Sequence, residues 1–585
     1  MTAWRGIPLP ARHRWRQTNL SRCRGQPQIR RAQPRGPRRI PGGIRPGLRA
    51  EGARTVNRRQ LLAAAAATTL AAPRLSLAQA YGPGSKTLRF VPESDATVQD
   101  PHWTTATVTR NHGYLVYDTL YAQADDFSIS PQMVEGHAIS ADGLQWDITL
   151  REGMTFHDGE PVRAQDVVAS IQRFSKRDAF AAELMLATDE LSVVSDRVFR
   201  FRLKKKFPLL PAALGKTGTS MPAIMPERLA KTDAFTRVSE VIGSGPFKYN
   251  KAEHVEGSLA VYDRFAAYRP RTGGGVGFTA GPKVVHFDRI EWRVIPDPAT
   301  AAGALSNGEV DWWQQPTLDL MPMVLRNRNY TSMIQDVSGN LGCLRFNHLL
   351  PPFNNPAIRQ AALAAISQTD CMQAVAGSDP SMWKANVGPF PPGTPLANEV
   401  GVEAVSSPRD YAKVKAALAA AGYKNEPVVM IVAGDYPQQA AMGIVAADAM
   451  QRAGFNMDLQ TLDWGTVVQR RAKKDDPRNG GWNIFVTNLT GTNNFDPASH
   501  LGLRGNGARA WFGWPEAPKL EELRQAWFDA PDMAAQKKIG EDIQRQFWID
   551  VPYVPLGVYY QPTVFTRRLT GVRSGFPQFY DVRWV

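Results

Sequence analysis

Histidine is the side chain best suited to acid–base and metal chemistry near neutral pH, and this 585-residue chain has nine of them. None stands at the H-E-x-x-H spacing that places two imidazoles on one helix face around a zinc ion. His157-Asp158-Gly159 sets a base beside a carboxylate. Neighbours on an extended segment point to opposite sides, however, so the triplet reads as a turn rather than a catalytic pair. Gly243-Ser244-Gly245-Pro246-Phe247 imitates a phosphate loop. Pro246 removes a backbone donor and no Lys-Ser/Thr follows, which leaves a tight structural turn. No P-loop, nucleophile elbow or metal-ligand cluster appears, so no catalytic residue, metal or cofactor is expected, and a periplasmic hydrolase is the weaker reading.

Net charge is +15, which for a globular surface would point to nucleic acid or an anionic membrane. The excess is not spread over the chain. Residues 1–80 hold 17 Arg and one acid, Glu51, whereas residues 81–585 hold 52 basic and 53 acidic side chains. That distribution argues against nucleic acid as a partner. Residues 1–55 are rich in Arg, Gly and Pro without hydrophobic periodicity and cannot bury a core. Asn57-Arg58-Arg59-Gln60-Leu61-Leu62, the Ala-rich run to Ala72 and Ala78-Gln79-Ala80 then read as a twin-arginine-like signal peptide cleaved after Ala80. An export signal preceded by 55 residues implies either a true start near Val56 or a long leader.

The apolar run is too short for a membrane span, so a soluble exported protein is expected. Cys23 lies in the leader, and Cys343 and Cys371 remain. Neither is placed to carry a lipid anchor, and the pair reads as two buried free thiols in a periplasmic, non-lipoprotein chain.

The elements that must position any site alternate between strand and helix, which makes the mature chain an α/β protein. Leu144 to Arg151 alternates apolar and polar as a half-buried strand does, and Phe199, Phe201, Leu203 and Ile290, Trp292, Val294 repeat the pattern. Asn355-Pro356 and Ser407-Pro408 predict helix starts, with a capping side chain before a proline at the first helical position. Gly422 and Gly454 mark the stops. Ile358, Ala362, Ala365 and Ile366 share one helical face, as do Val167, Val168, Ile171 and Phe174; these faces are core.

An ordered series of blocks then carries a resemblance. Val116-Tyr117-Asp118-Thr119-Leu120, Asp142 to Trp146, Leu150 to Gly159, Ala164 to Val168 and Gly243 to Phe247 are followed by Ile295 to Thr300, Gly308 to Asp311, Leu344 to Asn347 and Ala421-Gly422-Tyr423. Across residues 85–570 the chain resembles the family 5 solute-binding proteins of ATP-driven importers. The resemblance implies a two-lobed periplasmic binding protein (type II, cluster C) with an inserted subdomain and a hinge. It further implies a monomer that would capture a peptide or peptide-like polar solute and deliver it to permease subunits of an ABC transporter. The alternatives are a non-peptide solute (an opine, an oligosaccharide or a metal chelate) or a sensor or chaperone. By resemblance, lobe I takes residues 81–112, 240–296 and 558–585, the inserted subdomain 113–239 and lobe II 297–557. Hinge crossings are expected near Ile295–Pro298 and Leu556–Tyr559.

For the ligand, the dipeptide-binding members of the family hold an ammonium with an Asp where this chain has Thr492. They hold a carboxylate with an Arg in the stretch matching Met430–Gln439, which here contains Gly434-Asp435-Tyr436 and no Arg. Both anchors are therefore expected to be missing, which disfavours simple dipeptides. The expected ligand-binding set is Trp103, Trp383, Asp435, Tyr436, Thr492, Asn493, Asn494, Phe495 and Asp496. The aromatic groups would stack on the ligand, Thr492 to Asn494 would give neutral hydrogen bonds, and Asp435 and Asp496 would be available to a cationic group. Trp464 reads as core.

Overall fold

The computed structural model describes residues 86–274, 277–406 and 408–585. The export signal, Cys23 and the cleavage point after Ala80 lie outside the described residues. Two large sheets organise the rest. The first has seven strands, ordered Tyr330–Ile334, Pro562–Thr566, Trp312–Trp313, Thr87–Val91, Arg289–Arg293, Leu259–Arg264, Phe247–Tyr249. Its centre is parallel, with Thr87–Val91 between Arg289–Arg293 and Trp312–Trp313. Strands buried on both faces need side chains apolar on both, and here Phe90 packs against Trp292, Trp312 and Phe579 at ring separations of 5.6, 5.1 and 5.0 Å.

The second sheet has six strands, ordered Trp383–Lys384, Tyr553–Tyr559, Asn340–Phe346, Ile484–Thr490, Pro427–Ala433, Asn456–Leu462. Pro427–Ala433 is parallel to both of its neighbours. Val428 to Ala433 are buried without alternation, as a strand covered on both faces requires. Its half-exposed neighbour Asn456–Leu462 keeps a polar face.

A third sheet, Val134–Ile139, Gln145–Leu150, Val198–Leu203, Thr188–Ser195, is antiparallel throughout. Trp146, Ile148, Leu150, Phe199, Phe201 and Leu203 all point into its core, so the period-two reading holds. Helix Ala164–Phe174 covers it with Val167, Ile171 and Phe174.

The chain changes from the first sheet to the second between Ile334 and Asn340, later than the crossing expected at Ile295–Pro298. The reason is local: Asp297 caps helix Pro298–Ser306 by accepting from Thr300 N at 2.7 Å, and that helix leads back into the first sheet at Trp312. The return crossing, at Tyr560–Gln561, falls beside the expected one.

Asn355 caps helix Pro356–Ala365 as expected. The start expected at Ser407-Pro408 does not hold, and Ser407 itself lies outside the described residues. The helix begins at Tyr411, where Asp410 accepts from Lys413 N at 2.9 Å. Cys343 and Cys371 are free and buried. The two motif turns meet: His157 N donates to Gly243 O at 2.9 Å and His157 Nε2 to Gly245 O at 3.0 Å. A Cβ at Gly243 would overlap the Val116 carbonyl, which is why this turn needs glycine. His157 therefore serves as a packed structural group, with Asp158 turned away to Arg228 at 3.2 Å.

Fully buried histidines give the fold an acid-sensitive side. Burial above all holds His102 down to about 4, and His112 and His500 to about 3. Below pH 6.5 the unfolded chain takes up protons that these folded imidazoles refuse, so stability is full above 6.5 and is lost as pH falls toward 4. Each contributes a slope of about 1.4 kcal/mol per pH unit, opposed in part by Asp336, whose burial raises it to about 6. The expected outcome is a thermal midpoint that falls between pH 7 and pH 5. A midpoint flat or rising over that interval contradicts it.

Candidate functional site

A cavity of about 440 Å³ opens at the carboxyl ends of strands from both large sheets. Loops there are free to vary while the strands stay fixed, which is where open α/β sheets place their ligands. From the first sheet come Glu93, just past Thr87–Val91, and Gln314 and Gln315, just past Trp312–Trp313. Helix Thr107–Val116 adds Thr107 and Arg110, and the crossing segment adds Asp336. From the second sheet come Tyr436, Trp464 and Asn494, each just beyond the end of its strand, together with Arg471 and Asn488.

The acids are held in place. Glu93 accepts from Thr107 Oγ1 and from Gln315 Nε2 at 2.8 Å, and its own N–H donates to Gln314 Oε1 at 2.9 Å. Burial raises its carboxyl above the ordinary value against those bonds. Asp336 accepts from Ser338 N at 3.0 Å and from Ser338 Oγ.

On the opposite wall Tyr436 and Trp464 meet at 5.4 Å and 47°. The Arg471 guanidinium lies 5.1 Å from the Trp464 ring and 4.8 Å from that of Phe512, with its Nε unpartnered among the described residues. Burial pushes Arg471 down to about 10. The cavity therefore offers fixed acids on one side, a cation set among rings on the other, and amides between them, which suits a polar ligand carrying both signs of charge.

Three of the nine expected residues line this cavity: Tyr436, Asn493 and Asn494. Asn493 is engaged with the protein itself, since its Oδ1 accepts from Thr219 N at 2.9 Å and its Nδ2 donates to Thr219 Oγ1 at 3.2 Å. A Cβ at Gly218 would overlap Asn493 Oδ1, so the close approach depends on that glycine. Asn494 donates to Thr490 O at 2.6 Å.

The other six are not among the cavity walls. Trp103 donates to Phe235 O at 3.0 Å and lies under Arg237 at 5.3 Å. Trp383 is an edge-strand residue paired with Tyr559, its indole bonded to Gly377 O at 3.1 Å. Asp435 accepts from Trp464 N at 2.9 Å, Phe495 packs on Phe127 at 4.8 Å, and Asp496 caps a turn through Ser499 N at 2.8 Å. Thr492 is buried, with Oγ1 unpartnered among the described residues.

Trp464, read as core, instead forms part of the wall. Sequence reasoning passed over Glu93, Arg110, Asp336 and Arg471. They sit in no motif, and only folding brings residues almost 380 positions apart to one cavity. The clue available was position: Glu93 and Trp464 each fall two residues past the end of a strand.

Two sheets joined by two crossings, with a polar cavity at their strand ends, define a two-lobed binding protein. Solved structures share this fold. The periplasmic binding protein AgaA of A. tumefaciens R10 with agropinic acid has TM-score 0.72 at 20% identity, over 85% of this chain and 99% of that one. The DppA protein of Helicobacter pylori with the peptide STSA has TM-score 0.72 at 20% identity, over 86% and 99%.

The model of the bacterial extracellular solute-binding proteins, family 5, matches residues 128–510, and the chain belongs to that family. A probable peptide ABC transporter periplasmic-binding protein of Sinorhizobium fredii is 34% identical over 522 residues, 88% of this chain and 97% of that protein. The glutathione-binding protein GsiB of Pectobacterium atrosepticum is 24% identical over 500 residues, 82% and 90%. Among the described residues no helix is long and apolar enough to cross a membrane.

Proposed function

We propose that this chain is the capture subunit of an ATP-driven importer, which closes two lobes around a peptide or peptide-like polar solute and presents the closed form to its permease. The observation that carries the reading is the 440 Å³ cavity walled from both sheets, since such a site is complete only when the two halves are together. In this reading the lobes exchange chain at residues 335–339 and 560–561, which among the described residues are the segments linking strands of the two large sheets, and the hinge lies there. The relatives named for peptides and glutathione support a peptide-like solute. The agropinic acid complex supports an opine as the second reading, because a chain of the same fold holds a polar acid that is not a peptide. Export through the twin-arginine-like segment and a monomeric working state complete the proposal.

Tyr436, Asn493 and Asn494 remain the site residues carried over from sequence, with Asn493 acting as a clasp to Thr219 rather than as a direct donor to the solute. Moving a mostly open population to a mostly closed one needs about 5.5 kcal/mol of differential affinity. Small-angle scattering with tripeptides, glutathione and opines should show a smaller radius of gyration for those that calorimetry shows to bind. Asn493→Leu should leave the open form unchanged and weaken binding roughly five- to 150-fold, through loss of about 1–3 kcal/mol of closure contacts. A radius of gyration unchanged by a saturating binder overturns the closure reading.

A further inference from the structure

Arg110 is 5% exposed, yet its Nη1 has no hydrogen-bond partner among the described residues. Its Nε and Nη2 reach only the amide oxygen of the adjacent Asn111, at 3.2 and 3.1 Å. The guanidinium lies 4.0 Å from the centroid of the Phe576 ring, which holds its plane without satisfying its donors. A buried guanidinium in that condition is costly unless an anion completes it.

Arg110 stands in the first turns of helix Thr107–Val116, and Thr105 to Arg110 together form part of the cavity wall. The N-cap, Ala106, makes no capping hydrogen bond, and no acid occupies the first turn. The helix therefore turns unsatisfied N–H groups and its positive end toward the same space. Two independent features thus converge: a ten-residue helix without a side-chain cap and a buried guanidinium whose Nη1 has no partner among the described residues.

Glu93 and Asp336 narrow the class of anion. Both lie near enough to Arg110 to act on its charge, and both border the cavity. They repel a compact dianion such as inorganic phosphate. They admit a carboxylate whose own molecule carries an ammonium a few bonds away, because that ammonium is what they attract.

We infer that Arg110 and the N-terminus of helix Thr107–Val116 form the subsite for the carboxylate of a zwitterionic, amino-acid-like end of the solute, with Glu93 and Asp336 receiving its ammonium. This rests on the solute-capture reading above and places the charged anchor in segments where no motif announces one.

The test uses the mature chain and a thermal-shift and calorimetry panel: glutathione, its forms amidated at the γ-glutamyl α-carboxylate or acetylated at the α-amine, glutamine and inorganic phosphate. Glutathione or glutamine, each with both charges on one carbon, should stabilise the wild type. For whichever of the two binds, converting that α-carboxylate to an amide, or substituting Arg110→Met, should weaken binding roughly ten- to a hundredfold. The empty Arg110→Met protein should stay folded, its melting temperature set by two opposed effects: a buried fork with an unpartnered donor is removed, while Glu93 and Asp336 lose the positive charge beside them.

A lowered melting temperature for empty Arg110→Met, with solute affinity intact, would assign Arg110 a purely structural role and overturn the subsite. Equal binding of acid and amide overturns it without the variant, and so does a phosphate shift as large as the zwitterion's. Should no zwitterion bind the wild type, the subsite falls. If scattering then also shows no closure with any solute that does bind, the capture reading falls with it. Closure on a neutral solute would leave that reading standing.

Discussion

Lys283→Met is expected to destabilise the protein by about 3–5 kcal/mol, because it leaves a carboxylate buried without its counter-charge. Lys283 and Asp118 are 0% and 2% exposed, with Nζ donating to Oδ1 at 2.7 Å. Tyr268 OH donates to the other carboxylate oxygen at 3.0 Å, and the rings of Tyr114 and Tyr580 lie 5.6 and 5.5 Å from the ammonium. Burial lowers the lysine's pKa from its ordinary value, and the Asp118 carboxylate opposes that shift. The double substitution Asp118→Leu with Lys283→Met should recover about 0.5–3 kcal/mol of the loss, since the apolar pair leaves no bare charge. Chemical denaturation of the four proteins measures this; additive losses would show that the two groups are not coupled.

Arg173→Leu is expected to cost a similar amount, about 3–5 kcal/mol at neutral pH, and to carry a pH signature. Arg173 grips Asp100 through two bonds of 3.0 and 2.7 Å, both side chains being at most 2% exposed, and also donates to Thr232 O at 3.2 Å and Thr236 O at 2.8 Å. It ties helix Ala164–Phe174 to the segment that leads from the first sheet into helix Thr107–Val116. Burial works against the Asp100 carboxylate, but the hydrogen bonds and charge of Arg173 outweigh it and hold the carboxyl below its ordinary value. In the wild type this contribution is therefore present above the unfolded value and is lost only as pH falls through the lower folded one.

Without Arg173, burial dominates and the folded Asp100 takes up a proton more readily than the unfolded chain. The variant's deficit should then shrink as pH falls from 7 toward 4. Urea midpoints across that range decide the matter, and a deficit independent of pH would contradict the uncompensated-charge account.

Local pattern was enough for the α/β class, for strands such as Gln145–Leu150 and for the helix that Asn355 caps, because each depends on neighbours within a few residues. The absence of catalytic spacing and the ordered blocks of the family were equally legible. Two of the blocks pack within the fold: His157 bonds to Gly243 and Gly245, and Asp118 pairs with Lys283.

The site was much less legible. Resemblance directed attention to residues 492–496, yet Asp496 caps a turn, Phe495 packs on Phe127 and Asn493 reaches Thr219 across the chain.

Taken by itself, the sequence determined the class, the solute-binding family, the buried free thiols and the period of the strands Gln145–Leu150, Val198–Leu203 and Arg289–Arg293, since these follow from short-range pattern or from the order of blocks. Tertiary structure alone decided that Glu93, Arg110, Asp336, Trp464 and Arg471 share one cavity, and that the chain changes sheets after Ile334 rather than at Ile295–Pro298. The physical reason is that a site at strand ends is assembled by the pairing order of strands distant in sequence, and burial of a charge at that site depends on neighbours no local pattern specifies.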